Sequence, residues 1–182
     1  MVPAMAFLSR PLLATLLLTW ASLPGITPAA TPESTLRVQI DASACPEHAA
    51  WATSAQTLAN DWYPRLGNLL ASGTTVELPP VRIRIDPSYQ GVAAASGTDI
   101  RLSAAWVKQN PDDARGVVIH ELVHVVQAYP ENREGWITEG IADYLRYGIF
   151  EAKSLQDFPR PDKPKAYQDG YQVAGGFLLW LE

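Results

Sequence analysis

His120, Glu121 and His124 are residues whose types and spacing could do chemistry together. In the run His120-Glu-Leu-Val-His124 the two imidazoles stand four residues apart, and on a helix that spacing puts both on one face, within reach of one metal ion. Glu121, one residue on, leans over the same face toward a water beside that ion. Zinc suits this geometry, because it takes two nitrogens and a carboxylate and leaves a fourth position for water. The flanks Val117-Val-Ile119 and Val125-Val126 make the helix apolar almost all round, so it is expected to be buried. Two histidines and a glutamate buried without a partner would carry a large desolvation cost. Metal ligation removes it; a polar core cluster in which the three bond to one another is the rival account.

A third protein ligand is needed, and the chain has only three histidines. The remaining one, His48, lies beside Pro46-Glu47 in what reads as an exposed helix start. A metzincin carries its third histidine six residues after the second, and that position is Pro130. The third ligand is therefore expected to be a carboxylate, and Trp136-Ile-Thr-Glu139-Gly-Ile-Ala-Asp143-Tyr144 supplies two, one helical turn apart. This segment resembles the gluzincin arrangement, in which the Glu of an EGxA segment on a second helix binds zinc and a carboxylate four residues on orients a ligand histidine. The resemblance implies that Glu139 binds zinc and that Asp143 supports His120. The fourteen residues between His124 and Glu139 are fewer than that clan usually has, so Asp143 stays open as the alternative ligand.

The elements that must position these groups are legible as patterns. Leu36-Arg-Val-Gln-Ile40 and Val81-Arg-Ile-Arg-Ile85 alternate apolar and polar residues and predict strands with one buried face. Gly91-Val-Ala-Ala-Ala95 and Ile100-Arg-Leu102 predict a hairpin closed by Ser96-Gly-Thr-Asp99. Between the first two strands Pro46 opens a helix with Trp51, Ala55, Leu58, Trp62 and Leu66 on one stripe, in which Pro64 should make a kink or break and Ser72-Gly73 the end. Asn110 as N-cap, Pro111 at the first turn, and Asp112 and Asp113 predict the start of the HExxH helix, which should run to about Ala128. Further helices are expected from about Thr138 to Tyr147 and from about Tyr167 to the end. The apolar period of the last one, Tyr171, Ala174, Phe177, Leu178 and Leu181, continues without a cap, which suggests a domain truncated at its C-terminus.

Composition bounds the class. At 182 residues, 47% hydrophobic and 18% charged, the chain reads as one ordinary globular domain. Its single cysteine excludes an internal disulfide framework and any multi-cysteine metal site within one chain. A formal charge of −5 argues against a sequence-independent nucleic-acid binder. Residues 1–30, with Arg10, the apolar run Pro11–Ala21 and small residues at Thr27-Pro-Ala-Ala30, read as a signal peptide, an uncleaved anchor being the alternative. The domain is then 31–182. Free Cys45 is tolerable in an oxidising compartment if buried.

The run Gly91-Val-Ala-Ala-Ala-Ser-Gly97, then Ile100-Arg-Leu-Ser103, Trp106, Asp113, Gly116-Val-Val, His120-Glu-Leu-Val-His124-Val-Val-Gln127, Glu139-Gly-Ile-Ala-Asp143-Tyr144 and Tyr171-Gln-Val-Ala-Gly-Gly-Phe177-Leu resembles the plant and bacterial basic secretory protein family of peptidases. The resemblance covers nearly the whole of 31–182, although this chain is acidic. It implies an α+β, zincin-like domain: a small twisted sheet, the HExxH helix, then a mostly helical portion. It also implies a secreted, zinc-dependent metallopeptidase, more an endopeptidase than an exopeptidase, with Zn2+ on His120, His124 and Glu139. Glu121 would serve as general base, a peptide or protein as substrate, and the strand near Ile100 to Ser103 as the edge on which the substrate pairs. Many gluzincins place a tyrosine at the start of a helix resembling the last one here, which implies an oxyanion donor role for Tyr171; a core aromatic is the other reading. No nucleic acid and no stable membrane association is expected, and the protein should be extracellular or periplasmic. Three rivals remain: an aminopeptidase, a zinc hydrolase of a non-protein amide, and a non-catalytic zinc-containing binding or defence protein.

Overall fold

Strands whose alternate residues are Val and Ile cover one face of a sheet, and that face needs helices against it. In the computed structural model, which describes residues 36–71, 77–129 and 134–182, the sheet has four strands: β1 (Val38–Asp41), β2 (Val81–Asp86), the alanine-rich β3 (Ala93–Ser96) and β4 (Asp99–Ser103). Their order is β1-β2-β4-β3, with β1 parallel to β2, β2 parallel to β4, and β3 antiparallel to β4. Val81, Ile83 and Ile85 point into the core, while Arg82 and Arg84 lie on the open face. There Arg82 pairs with Asp41 at 2.8 Å and Arg101 with Asp86 at 3.1 Å. The architecture is thus mixed α+β. The expected signal segment, Ser72-Gly73 and Pro130 lie outside the described residues.

Helix α1 (Ala49–Leu70) packs on this sheet through Ala52, Ala55, Ala59, Tyr63 and Leu66. The buried stripe lies one residue round from the one the tryptophans suggest: Trp51, Leu58 and Trp62 flank it half-buried. Pro64 does not break the helix, which runs on to Leu70. It sits on the solvent side, between Tyr63 and Leu66, whose burial anchors the chain on either side of it. The amide of Asn60 closes the outer edge of β1, taking the Val38 N–H at 3.0 Å and donating to the Val38 carbonyl at 2.7 Å. Gln56 takes the Ile40 N–H at 2.8 Å.

Short α2 (Ala104–Gln109) follows β4, and Asn110 caps its C-terminus instead of opening the next helix. Helix α3 (Asp113–Gln127) starts after it and ends through Ala128 in the left-handed region. Val118, Ile119, Leu122 and Val123 fill the core with Tyr63, Leu66, Ile83, Ile100 and Leu102. Helix α4 (Gly135–Asp143) begins earlier than expected and runs into a π-helical segment, Tyr144–Phe150. Helix α5 (Tyr171–Leu181) begins later, because Gly170, with φ of 78°, breaks the chain after a single 3-10 turn. Of its expected apolar stripe only Ala174 is buried; Gly175 and Gly176 bury instead. The two helices touch closely at Gly140, where a Cβ would lie 2.6 Å from that of Ala174, and a side chain on α4 would push α5 away. No helix among the described residues is long and apolar enough to cross a membrane.

Candidate active site

The burial that shapes α3 also decides how its polar residues behave. His120 and Glu121 are buried and His124 half-buried. His120 Nε2 and His124 Nε2 stand 3.1 Å apart. Across from them, α4 brings Glu139 Oε2 to 3.2 Å from His120 Nε2 and 3.5 Å from His124 Nε2. Ligands about 2.05 Å from a tetrahedral ion are separated by about 3.3 Å. The three donor atoms match that spacing, and their chemistry, two imidazoles and a carboxylate, is that of a metal site. The residues present fit a divalent metal.

Each imidazole is held by its other nitrogen. His120 Nδ1 donates to Asp143 Oδ1 at 2.7 Å, and His124 Nδ1 donates to Gln127 Oε1 at 2.9 Å. Gln127 is fixed in turn, donating from Nε2 to the Thr138 carbonyl at 3.1 Å. Both Nε2 lone pairs therefore point to the shared position. Asp143 lies on the far side of His120, outside the trio of donors. His48 is buried rather than exposed and takes no part in the group.

Electrostatics ties the trio together. Burial works against charge on His120, but hydrogen bonds to Asp143 and Glu139 outweigh it and lift its pKa to about 9. His124 is raised too, where burial is outweighed chiefly by Glu139. The two histidines hold the Glu139 carboxyl down at about 2. Glu121 moves the other way: burial raises its pKa, with His120 and His124 acting against that. A carboxylate with raised basicity beside a metal position is suited to taking a proton. It also accepts the backbone N–H of Ala95 on β3.

The site opens into a cavity of about 590 Å3 whose walls are Val92–Ala95, Val117, Arg146, Tyr147 and the start of α5. Tyr171 stands there with 60% of its surface exposed, and the charge of Glu139 is the main reason its hydroxyl pKa is raised. The core-aromatic reading of Tyr171 does not fit that exposure. The open edge also differs from expectation. β4, which holds Ile100–Ser103, is paired on both sides, and the edge beside the metal position is β3. Alanines bury little apolar area, so the richer strand takes the inside. Sequence reasoning missed Gln127 as the partner of His124, although a lone amide three residues after it in an apolar helix is a usable signal. It also missed Arg146, whose partners are distant in the chain.

A family described as "Peptidase of plants and bacteria" matches residues 70–182, more than half of the chain. No curated protein and no solved structure matches significantly.

Proposed function

The chain belongs to this plant and bacterial peptidase family, the basic secretory protein family, and we propose that it is a secreted zinc metallopeptidase, an endopeptidase in a zincin-like fold. The observation that carries this reading is the trio of donor atoms 3.1 to 3.5 Å apart beside the buried Glu121 carboxylate. Secretion rests on the signal-like pattern of residues 1–30, with an extracellular or periplasmic destination.

Zinc held by His120, His124 and Glu139 would polarise a scissile carbonyl and acidify a water. Glu121 takes the proton of the attacking water and returns it to the leaving amine, a task for which its burial raises the pKa. Tyr171 donates its hydroxyl proton as a hydrogen bond to the oxygen that gains charge as the carbonyl carbon becomes tetrahedral. The β3 edge pairs with an extended substrate, and Asp143 and Gln127 keep both imidazoles aimed.

Comparing wild type with Glu121→Gln on casein or a peptide library, with zinc measured on both, tests this. Activity should fall about a hundredfold or more while zinc is retained. Equal peptide release by two zinc-loaded proteins sinks the mechanism, and zinc binding without cleavage by wild type favours a non-catalytic binding protein.

A further inference from the structure

The chemistry above makes no use of Arg146, although its guanidinium lines the same cavity. Its side chain is only 7% exposed. Nε donates to Glu151 Oε1 at 3.0 Å, and Nη2 donates to the carboxylate and the carbonyl of Asp113. Nη1 has no partner among the described residues, where no side-chain nitrogen or oxygen sealed from solvent lacks one. Nη1 therefore keeps some exposed surface, on a side chain that lines the cavity. Gly116 makes room for this placement, since a Cβ there would lie 2.7 Å from Arg146 Nε.

Two neighbours are also incompletely used. Tyr147, whose ring lies under the guanidinium with Cζ 4.3 Å from its centroid, accepts at its hydroxyl from Gln172 Nε2 at 3.2 Å. Its own hydroxyl proton and Gln172 Oε1 have no partner among the described residues. Val117 supplies an apolar wall. The group thus offers donors from Arg146 and Tyr147 and an acceptor from Gln172, which is the complement of a carboxamide.

Charge decides between an amide and an acid. Arg146 faces Asp113 and Glu151, and Lys153 stands 3.0 Å from Glu151, so two cations already meet two anions. A substrate carboxylate would be the third around one guanidinium, whereas a neutral oxygen adds no repulsion. An apolar side chain would cover Nη1 and leave it unpaired.

We infer that Arg146, Tyr147 and Gln172 form a specificity subsite that takes a substrate side chain ending in a neutral amide, Gln or Asn. This rests on the peptidase reading. A site built around hydrogen bonds discriminates against analogues that lack them far more strongly than an apolar pocket does.

The test uses zinc-loaded full chain and quenched fluorescent peptides of one sequence in which a single Gln, Asn, Glu, Leu or Ala is moved from position to position. Binding of the same peptides to Glu121→Gln protein is followed by anisotropy. At one position Gln or Asn should exceed both Glu and Leu about tenfold in kcat/KM, with the same order in binding. Tyr147→Phe, which keeps the ring, should lower the Gln-to-Leu ratio several-fold, and Gln172→Ala should do likewise. Glu151→Gln keeps an acceptor for Nε but removes one anion, and should move the Gln-to-Glu ratio toward Glu, a change that a merely structural role would not produce. Cleavage with no amide preference at any position, a preference for Glu or Leu, or ratios unmoved in all three variants overturns the inference and leaves the peptidase standing. If wild type cleaves none and the Glu121→Gln protein binds none, both readings fall.

Discussion

Two charged clusters lie along α3, each around a buried basic side chain, and they are built on different terms. At its start, Asp113 meets Arg146, which also holds Glu151, itself paired with Lys153. Two turns on, His120 and His124 meet Glu139, with Asp143 behind. Both join α3 to the chain between Glu139 and Lys153. In the first cluster every carboxylate has its permanent cation. In the second, three donor atoms converge on one point, and balance there must come from protons or a metal ion. The permanently matched cluster serves as a joint, and the conditionally matched one can exchange what balances it, which is what a reaction centre needs.

Glu139→Ala should break the second cluster most completely. One of its three donors disappears, and zinc affinity should fall by far more than the roughly ten- to hundredfold that loss of an orienting partner costs. Zinc competition with a chromophoric chelator measures it. A modest loss would move the ligand role to Asp143.

Arg146→Ala attacks the joint instead. It leaves Asp113 and Glu151, both partly exposed, with one cation fewer, so the cost should fall below the roughly 3–5 kcal/mol of breaking a fully buried pair. Urea unfolding should show that loss, while the zinc stoichiometry of the protein still folded stays unchanged. A stable variant that lost zinc would reverse the two roles.

Asp143→Ala should leave all three donors but release His120, lowering zinc affinity about ten- to hundredfold. A larger effect than that of Glu139→Ala would overturn the assignment of Glu139 as ligand.

The two clusters were unequally legible in the sequence. His120 and His124 announce themselves because four residues is one helical turn, and Glu139 and Asp143 repeat that spacing within one short segment. The joint announces nothing, since Arg146 lies 33 residues from Asp113 and only packing brings them together. The same limit applies to the sheet. The strands follow from alternation, but which hairpin strand faces the cleft depends on β2 pairing with β4, a contact between segments that no local pattern specifies. Pro64 shows the converse, a local rule overridden because Tyr63 and Leu66 are locked in the core.

Protons separate the clusters further. With zinc stripped by chelator, the folded His120 has a pKa of about 9, against 6.5 unfolded. A raised folded pKa means that its stabilisation is fully present below about 6.5 and is lost as pH rises through about 9. Zinc must displace that proton, so its affinity should instead rise across the same window, by up to about tenfold per pH unit for each proton released. Thermal melts with and without zinc from pH 6 to 9 should slope in opposite directions. Parallel slopes would mean that the metal binds elsewhere.

The smallest expected effect is at Gln127. Its Oε1 accepts a hydrogen bond from His124 Nδ1–H and its Nε2 donates to the Thr138 carbonyl, so it reaches from α3 to α4 and fixes the ring plane. Being neutral, it adds no charge to the imidazole, unlike Asp143 on His120, and its loss should cost less. Gln127→Leu should weaken zinc binding only several-fold, toward the low end of the range for orienting partners. Gln127→Glu should restore the acceptor with added charge and tighten zinc above the Leu variant. If the Glu variant bound no better than Leu, the ring would be held by packing against its neighbours, and the amide would belong with the joint rather than with the reaction centre.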